Sequence, residues 1–152
     1  MKQILVCDGL HESGLELLNA QEGLSVDAPD QWSMEQIAAE LPNYHAMVVR
    51  SRTKVTKDML ENARKLTVIG RAGTGVDNID TETASAKGIL VMNTPGANAM
   101  AAAEHTMALI LSLARHVPQA TQSIREGRWE KARFVGTELY QQTLGILGLG
   151  KI

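Results

Sequence analysis

Short apolar runs alternate with amphipathic stretches along the first hundred or so residues of the chain. Such short, continuous runs are typical of strands that are buried on both faces of a parallel sheet. They predict five strands, at residues 4–6, 24–27, 46–49, 68–69 and 90–92. Because a helix pattern separates each strand from the next, the alternation predicts an α/β fold with right-handed crossovers and an open parallel sheet.

Capping residues mark the starts of the intervening helices. Ser33 is followed three residues later by Gln36, which is the pattern of a capping box. Thr56 and either Asp80 or Thr81 are predicted to cap the next two helices, because their side-chain oxygens can accept from the free N–H groups of a first turn. The sequence therefore predicts three helices that begin at these caps, in addition to one over residues 11–20.

After residue 98 the pattern changes to one long helix that is rich in small residues. Alanines recur through residues 97–103, and apolar residues surround the later turns, so we predict a helix over residues 98–116 that is buried between two bodies. Pro118 is expected to kink or end this helix. Residues 119–125 are then predicted to form a second, amphipathic helix.

A last apolar run, over residues 143–147, predicts a further strand, and glycines follow it directly. Gly148 and Gly150 have the spacing that opens a Gly-x-Gly-x-x-Gly loop, in which backbone approaches a dinucleotide pyrophosphate. The third glycine would fall beyond Ile152, so we expect the chain to be a piece of a longer protein. We place a domain boundary near residue 98, with one domain over residues 1–98 and the incomplete start of another over residues 99–152.

Composition narrows the classes of partner. A net charge of -2 gives no overall attraction to nucleic acid or to an anionic membrane, and no apolar stretch is long enough to predict a membrane span. Cys7 is the only cysteine, which excludes an intramolecular disulfide and a thiolate-rich metal site and fits a reducing compartment. We expect a cytoplasmic protein that binds no nucleic acid, membrane or metal.

The stretch over residues 68–80 carries the clearest candidate chemistry. A short apolar run breaks into glycines beside Arg71, whose planar fork of donors matches a carboxylate or phosphate. Gly73 and Gly75 lack a Cβ and permit close approach of a ligand. The segment is consistent either with a loop that binds a small acid or with a tight turn in which Arg71 is solvated.

Four segments in order carry a family resemblance: Val49–Thr56, Gly70–Asn78, Val91–Gly96 and Leu144–Gly150. Together they resemble the D-isomer-specific 2-hydroxyacid dehydrogenases over the whole chain. The resemblance implies a flavodoxin-like substrate domain followed by the start of a Rossmann nucleotide-binding domain. It also implies NAD-dependent oxidation of 3-phospho-D-glycerate to 3-phosphohydroxypyruvate, the first step of serine biosynthesis.

The resemblance also assigns roles to individual residues. Arg50 and Arg71 would hold the phosphate and carboxylate of 3-phosphoglycerate, and the Gly73 backbone would face the reacting carbon. The residues that it implies for the cofactor are Thr74, Asn98, Gly148, Gly150, Lys151 and Ile152. No catalytic residue is implied within this chain, so we expect the histidine and its partners beyond Ile152 and no activity from these 152 residues alone.

A homodimer or homotetramer is implied by the same resemblance. Trp129, Lys131 and Arg133 match a stretch that lies at the dimer interface of similar enzymes and reaches the active site of the partner. The four histidines, in contrast, are expected to have structural roles.

Two other functions stay open at this point. The chain could belong to a dehydrogenase that acts on an unphosphorylated D-2-hydroxy acid, although Arg50, Arg52, Lys54 and Arg71 together favour a doubly anionic substrate. It could also belong to a non-catalytic corepressor that senses NADH. A phosphoacceptor signalling domain is disfavoured, because such a domain needs an aspartate where this chain has Arg50.

Overall fold

The computed structural model describes residues 1–152 and divides into two compact units. The first unit comprises Met1–Ala97 and the second comprises Asn98–Ile152. The roles assigned above to the two domains stay predictions.

The first unit is built on a five-stranded sheet in which every neighbouring pair of strands is parallel. The strands are β1 (Lys2–Val6), β2 (Leu24–Asp27), β3 (Ala46–Val49), β4 (Val68–Arg71) and β5 (Leu90–Asn93). Their order across the sheet is β2-β1-β3-β4-β5. The predicted α/β fold with an open parallel sheet is therefore confirmed, and all five apolar runs form strands.

Four helices connect the strands: α1 (Glu12–Asn19), α2 (Met34–Glu40), α3 (Lys57–Asn62) and α4 (Thr81–Ala86). The predicted caps are confirmed. Ser33 and Gln36 form the reciprocal capping box of α2, and the side chains of Thr56 and Asp80 accept from the first turns of α3 and α4. Each cap supplies a partner to a backbone N–H that has none within its helix.

The core lies between this sheet and its helices. Leu5, Met47, Val49 and Ile69 of the central strands are 0% exposed. The helices and their adjoining turns contribute further buried apolar residues, namely Ile37, Leu41, Met59, Leu60, Ala63 and Ala84. Burial of each large aliphatic side chain stabilises the fold by about 1.5–3 kcal/mol, so this aliphatic core positions the strand ends that carry the polar residues described below.

The second unit contains two helices, α5 (Ala99–Ala114) and α6 (Val117–Arg125), and a 3₁₀ turn at Lys131–Phe134. The break between the helices lies at His116, which has a positive φ of 53°. Pro118 lies in the first turn of α6, where its missing N–H costs nothing, so it starts the second helix. No helix in the chain combines the length and the apolar character that crossing a membrane requires.

Two predictions for the second unit are wrong. Residues 143–147 form no strand, since this unit offers no other strand to pair with and a lone strand leaves its backbone N–H and C=O groups without partners. The long helix α5 also has no buried residue, and Met100 and Leu113 are more than 70% exposed. The short α6 and the irregular tail leave much of its apolar surface exposed.

Candidate functional site

Polar and cationic residues meet where the parallel strands of the first unit end. Val49 of β3 is in register with Arg71 of β4, which is in register with Asn93 of β5. Arg50 directly follows Val49, so Arg50 and Arg71 leave neighbouring strands at the same edge of the sheet. We call this the carboxyl edge, formed by Asp8, residues 50–53, residues 71–75 and Asn93. The strand order reverses between β1 and β3, and open α/β sheets bind ligands at this kind of edge.

Asp8, which follows β1, fixes the loop that carries Arg50. Its carboxylate accepts hydrogen bonds from the backbone N–H groups of Arg50 at 2.7 Å and Thr53 at 3.0 Å, and from the Thr53 hydroxyl at 2.5 Å. Arg52 Nε lies 3.3 Å from the same carboxylate, and Arg52 Nη2 donates to the Cys7 carbonyl at 2.6 Å. Because the Asp8 side chain is only 2% exposed, these donors replace the water that it loses on folding.

The same donors decide the charge of Asp8. Burial by itself raises the pKa of this carboxyl, since the charged form loses hydration. The hydrogen bonds from Thr53, Arg50 and Arg52 outweigh burial, and the pKa of Asp8 lies below its ordinary value. Asp8 is therefore an anion at neutral pH, which suits an anchor for N–H groups and does not suit a general acid.

Asn78 binds the same loop as Asp8. Asp8 accepts hydrogen bonds from N–H groups of this loop, whereas Asn78 donates to its carbonyl groups. Its Nδ2 donates to the carbonyls of Arg50 and Thr53, both at 2.7 Å. The backbone carbonyl of Asn78 accepts a hydrogen bond from the Val55 N–H at 2.8 Å. The backbone N–H groups of Arg50 and Thr53 thus both donate to Asp8, and their backbone carbonyls both accept from Asn78. The Oδ1 of Asn78 is buried and has no hydrogen-bond partner in the chain.

Arg71 folds back over the glycine loop that follows β4. A Cβ built on Gly73 would lie 2.8 Å from Arg71 Cζ, so any side chain at this position requires the guanidinium to move. The loop is fixed by hydrogen bonds from the Gly73 N–H to the Arg71 carbonyl at 2.8 Å and from the Thr94 N–H to the Gly73 carbonyl at 3.0 Å. The Thr74 carbonyl accepts from Asn93 Nδ2 at 2.6 Å. The Nε of Arg71 is buried without a hydrogen-bond partner.

The cations of the carboxyl edge differ in how far they are neutralised. Arg52 is ion-paired with Asp8, whereas Arg50, and Lys54 just outside the edge, are exposed and form none of the ion pairs found in the chain. Arg71 is partly buried. The first unit therefore presents positive charge at the end of its sheet, with Arg50 directly after β3 and Arg71 at the end of the adjacent β4.

The predicted cofactor residues of the second unit lie at its two ends. Asn98 occupies the N-cap position of α5, where its side chain makes no capping hydrogen bond. The tail residues Gly148, Gly150, Lys151 and Ile152 are exposed. Gly148 has a positive φ of 106°, and no atom lies within 4 Å of a Cβ built on Gly148 or Gly150. The backbone at these two glycines is therefore exposed, and no strand precedes it.

Two of the histidines have structural partners, as predicted for all four. The His11 side chain accepts from the Ser13 N–H and caps α1. His45 Nδ1 accepts from the Gln3 N–H at 3.1 Å, and desolvation together with nearby Lys2 and Lys65 lowers the pKa of His45.

Asp8 and Asn78 are the site residues that sequence reasoning missed. Asp8 looks like part of a turn with Gly9, and Asn78 looks like one position of an imperfect dinucleotide motif. The available signal was an aspartate directly after a buried strand and an asparagine shortly after a glycine loop. Neither signal identifies the loop that the side chain binds.

Comparison with known proteins identifies a family that the chain matches. The family described as D-isomer specific 2-hydroxyacid dehydrogenase, catalytic domain, matches residues 4–146. The D-3-phosphoglycerate dehydrogenase of Sus scrofa is 51% identical over all 152 residues, which are 28% of its length. The D-3-phosphoglycerate dehydrogenase of Methanocaldococcus jannaschii is 49% identical, again over the whole chain and 29% of its own length. The chain thus spans less than a third of these relatives.

A solved structure agrees with this match. The D-lactate dehydrogenase of Aquifex aeolicus, crystallised with NAD and lactic acid, superposes with a TM-score of 0.83 at 26% identity. The superposition covers 97% of this chain and 45% of that chain. The arrangement of strands and helices is therefore one that is found in a dehydrogenase of this kind.

Proposed function

The chain belongs to the D-isomer specific 2-hydroxyacid dehydrogenase family, and we propose that a full-length protein that carries it oxidises 3-phospho-D-glycerate to 3-phosphohydroxypyruvate with NAD. This reaction would be the first step of serine biosynthesis. The chain is 51% and 49% identical in sequence to two D-3-phosphoglycerate dehydrogenases over its entire length. This similarity supports 3-phosphoglycerate as the substrate over an unphosphorylated acid.

The single observation that carries the proposal is the pair of arginines at the carboxyl edge. A substrate with a phosphate and a carboxylate needs two cationic groups, and Arg50 and Arg71 leave adjacent strands at one edge. The Arg71 Nε is buried without a partner, and buried donors in native proteins are nearly always paired, so an acceptor on a ligand would complete its bonding. Each charge-assisted contact would contribute about 1.5–3 kcal/mol.

The residues of this chain have distinct tasks in the proposed reaction. Arg50 and Arg71 bind and orient the acid, and Gly73, which has no Cβ, makes room for the Arg71 guanidinium and presents its backbone to the reacting carbon. We assign proton abstraction to residues outside this chain, because the chain covers only 28% of the length of its Sus scrofa relative and because His11 and His45 already have structural partners.

The backbone of the glycine tail, residues 148–152, supports the proposal that the cofactor is NAD. Gly148 has the positive φ that a tight turn requires, and the space around Gly148 and Gly150 is open to a pyrophosphate. When bound, NAD supplies the acceptor for the substrate hydride. We propose that Gly148, Gly150, Lys151 and Ile152 contact its phosphates and that Thr74 and Asn98 contact the rest of the cofactor.

We also propose a cytoplasmic homodimer or homotetramer. Trp129 is 80% exposed, which is unusual for so large an apolar side chain and suits an interface. Arg133 follows four residues later in the chain, 3.3 Å from a Glu130 oxygen and 5.6 Å from the centre of the Phe134 ring. The single cysteine is a buried thiol, which fits a reducing cytoplasm.

A substrate panel tests the proposed function. The full-length protein, assayed with NAD by the absorbance of NADH, is expected to oxidise 3-phosphoglycerate with a kcat/KM about 10- to 100-fold above that for D-glycerate, since glycerate lacks one anionic group. Comparable values for the two acids would favour a dehydrogenase of unphosphorylated acids. Binding of NADH without turnover of any hydroxy acid would favour a corepressor.

A further inference from the structure

The loop from Arg50 to Thr53 is held at its first and last residues by two side chains from other parts of the fold. Asp8 accepts the N–H groups of both residues, and Asn78 donates to the carbonyls of both residues. All four backbone polar groups at the ends of this loop are therefore bonded to just two side chains. We call this arrangement the loop clamp.

The loop clamp joins the two cationic segments of the carboxyl edge. Asn78 lies shortly after the glycine loop of residues 73–75, and its amide reaches across 28 residues of sequence to the Arg50 carbonyl. Asn78 is also fixed in place, since its own carbonyl accepts from the Val55 N–H at 2.8 Å. The segment after β3 and the segment after β4 are thus tied together by one amide group.

Both members of the clamp are committed to the backbone of this loop. The Asp8 side chain is 2% exposed and already accepts four hydrogen bonds, so it has little capacity for a substrate. Both N–H donors of the Asn78 amide are used on loop carbonyls. Asp8 and the Asn78 Nδ2 group therefore act through the loop, whereas the buried Asn78 Oδ1 has no hydrogen-bond partner in the chain.

We propose that Asp8 and Asn78 are positioning residues that set the spacing between Arg50 and Arg71 and so select acids with two anionic groups. This inference rests on the proposed function, because it concerns how the same site holds its substrate. A site must hold its groups within about 0.5 Å of the productive geometry, and loops achieve this only when supporting hydrogen bonds fix them. The loop clamp supplies those bonds before a ligand arrives.

The test uses two variants of the full-length protein. Asn78→Ala removes both donors, and Asn78→Asp keeps the shape while replacing the Nδ2 donor with an oxygen. Both variants are expected to raise the KM for 3-phosphoglycerate by roughly 10- to 100-fold, as displaced positioning groups do, with a much smaller change in kcat. The KM for D-glycerate should change less, since a single anion does not depend on the spacing of two cations.

Asn62→Ala is the matched control. Asn62 is exposed and also donates from its side chain to a backbone carbonyl, that of Asp58 at 2.9 Å, but it lies at the end of α3 and away from the clamp. This variant is expected to keep both kinetic constants. A variant of Asn78 that merely folds less well would lower kcat per total protein and leave KM unchanged, and that result would overturn the inference.

A second measurement separates this inference from the proposed function. Hydrogen exchange in the absence of ligand should find the Arg50 and Thr53 amides protected in the wild type and exchanging about 10-fold faster in Asn78→Ala. If the wild type oxidises no 3-phosphoglycerate, the proposed function fails and the exchange result alone decides whether the clamp exists. Unchanged exchange, or an unchanged KM for 3-phosphoglycerate in both folded Asn78 variants, overturns the clamp.

Discussion

Asp8 binds two backbone N–H groups, a hydroxyl and a guanidinium with one carboxylate. These bonds connect positions that are 42 to 45 residues apart in the chain. The sequence does not indicate which distant residues bond to this aspartate. Asp8 therefore looks like an ordinary turn aspartate. Arg71, in contrast, could be singled out from the sequence by its residue type beside a glycine loop, and Arg50 by the family resemblance, and the roles given to both stay predictions.

The lowered pKa of Asp8 predicts a pH-dependent contribution to stability. Asp8→Asn is expected to lower the free energy of unfolding by about 1.5–3 kcal/mol near pH 7, the range for hydrogen bonds to charged groups. Because the folded state lowers the pKa, this stabilisation is present above the unfolded carboxyl value of about 3.9 and is lost as the pH falls through the folded-state value. The difference between variant and wild type should therefore shrink in acid.

Urea unfolding at about pH 7 and about pH 3 measures this difference on either side of the unfolded pKa. Asp30→Asn, at an exposed carboxylate, is the matched control and should change stability by no more than about 0.5 kcal/mol. An Asp8→Asn difference of equal size at both pH values would contradict the role given to its charge.

The strands and helices of the first unit could be predicted because local sequence and tertiary packing agree there. Apolar runs such as residues 46–49 are strands that lie between two neighbours, and capping residues fix where the helices begin. Residues 143–147 have the same apolar character and remain irregular. A strand exists only as part of a hydrogen-bonded sheet, and the second unit contains no strand for it to join.

The capping box of α2 gives a prediction about an element. Ser33→Ala should lower the free energy of unfolding by about 1 kcal/mol, because the Gln36 N–H loses the side-chain oxygen that accepts it. Ser85→Ala is the matched control, since the Ser85 hydroxyl bonds the Thr81 carbonyl within α4 and alanine is the better helix former. Equal losses of stability in the two variants, measured by urea unfolding, would rule out the cap as the cause.

The two units differ in how completely they bury their apolar residues. The first unit has a continuous buried core, whereas α5 of the second unit is apolar on much of its surface and has no buried residue. The chain spans 28% of the length of its D-3-phosphoglycerate dehydrogenase relative from Sus scrofa, so the proposed catalytic cycle also depends on residues outside it. The contribution that we propose for this chain is the recognition of an acid at the carboxyl edge.

Steady-state kinetics of Arg71→Ala in the full-length protein test that contribution most directly. Loss of one charge-assisted contact should raise the KM for 3-phosphoglycerate by about 10- to 100-fold, while Arg64→Ala, at an exposed arginine outside the carboxyl edge, should leave it unchanged. An Arg71→Ala protein with the kinetic constants of the wild type would remove Arg71 from the site and contradict the account of the carboxyl edge as the place where the acid binds.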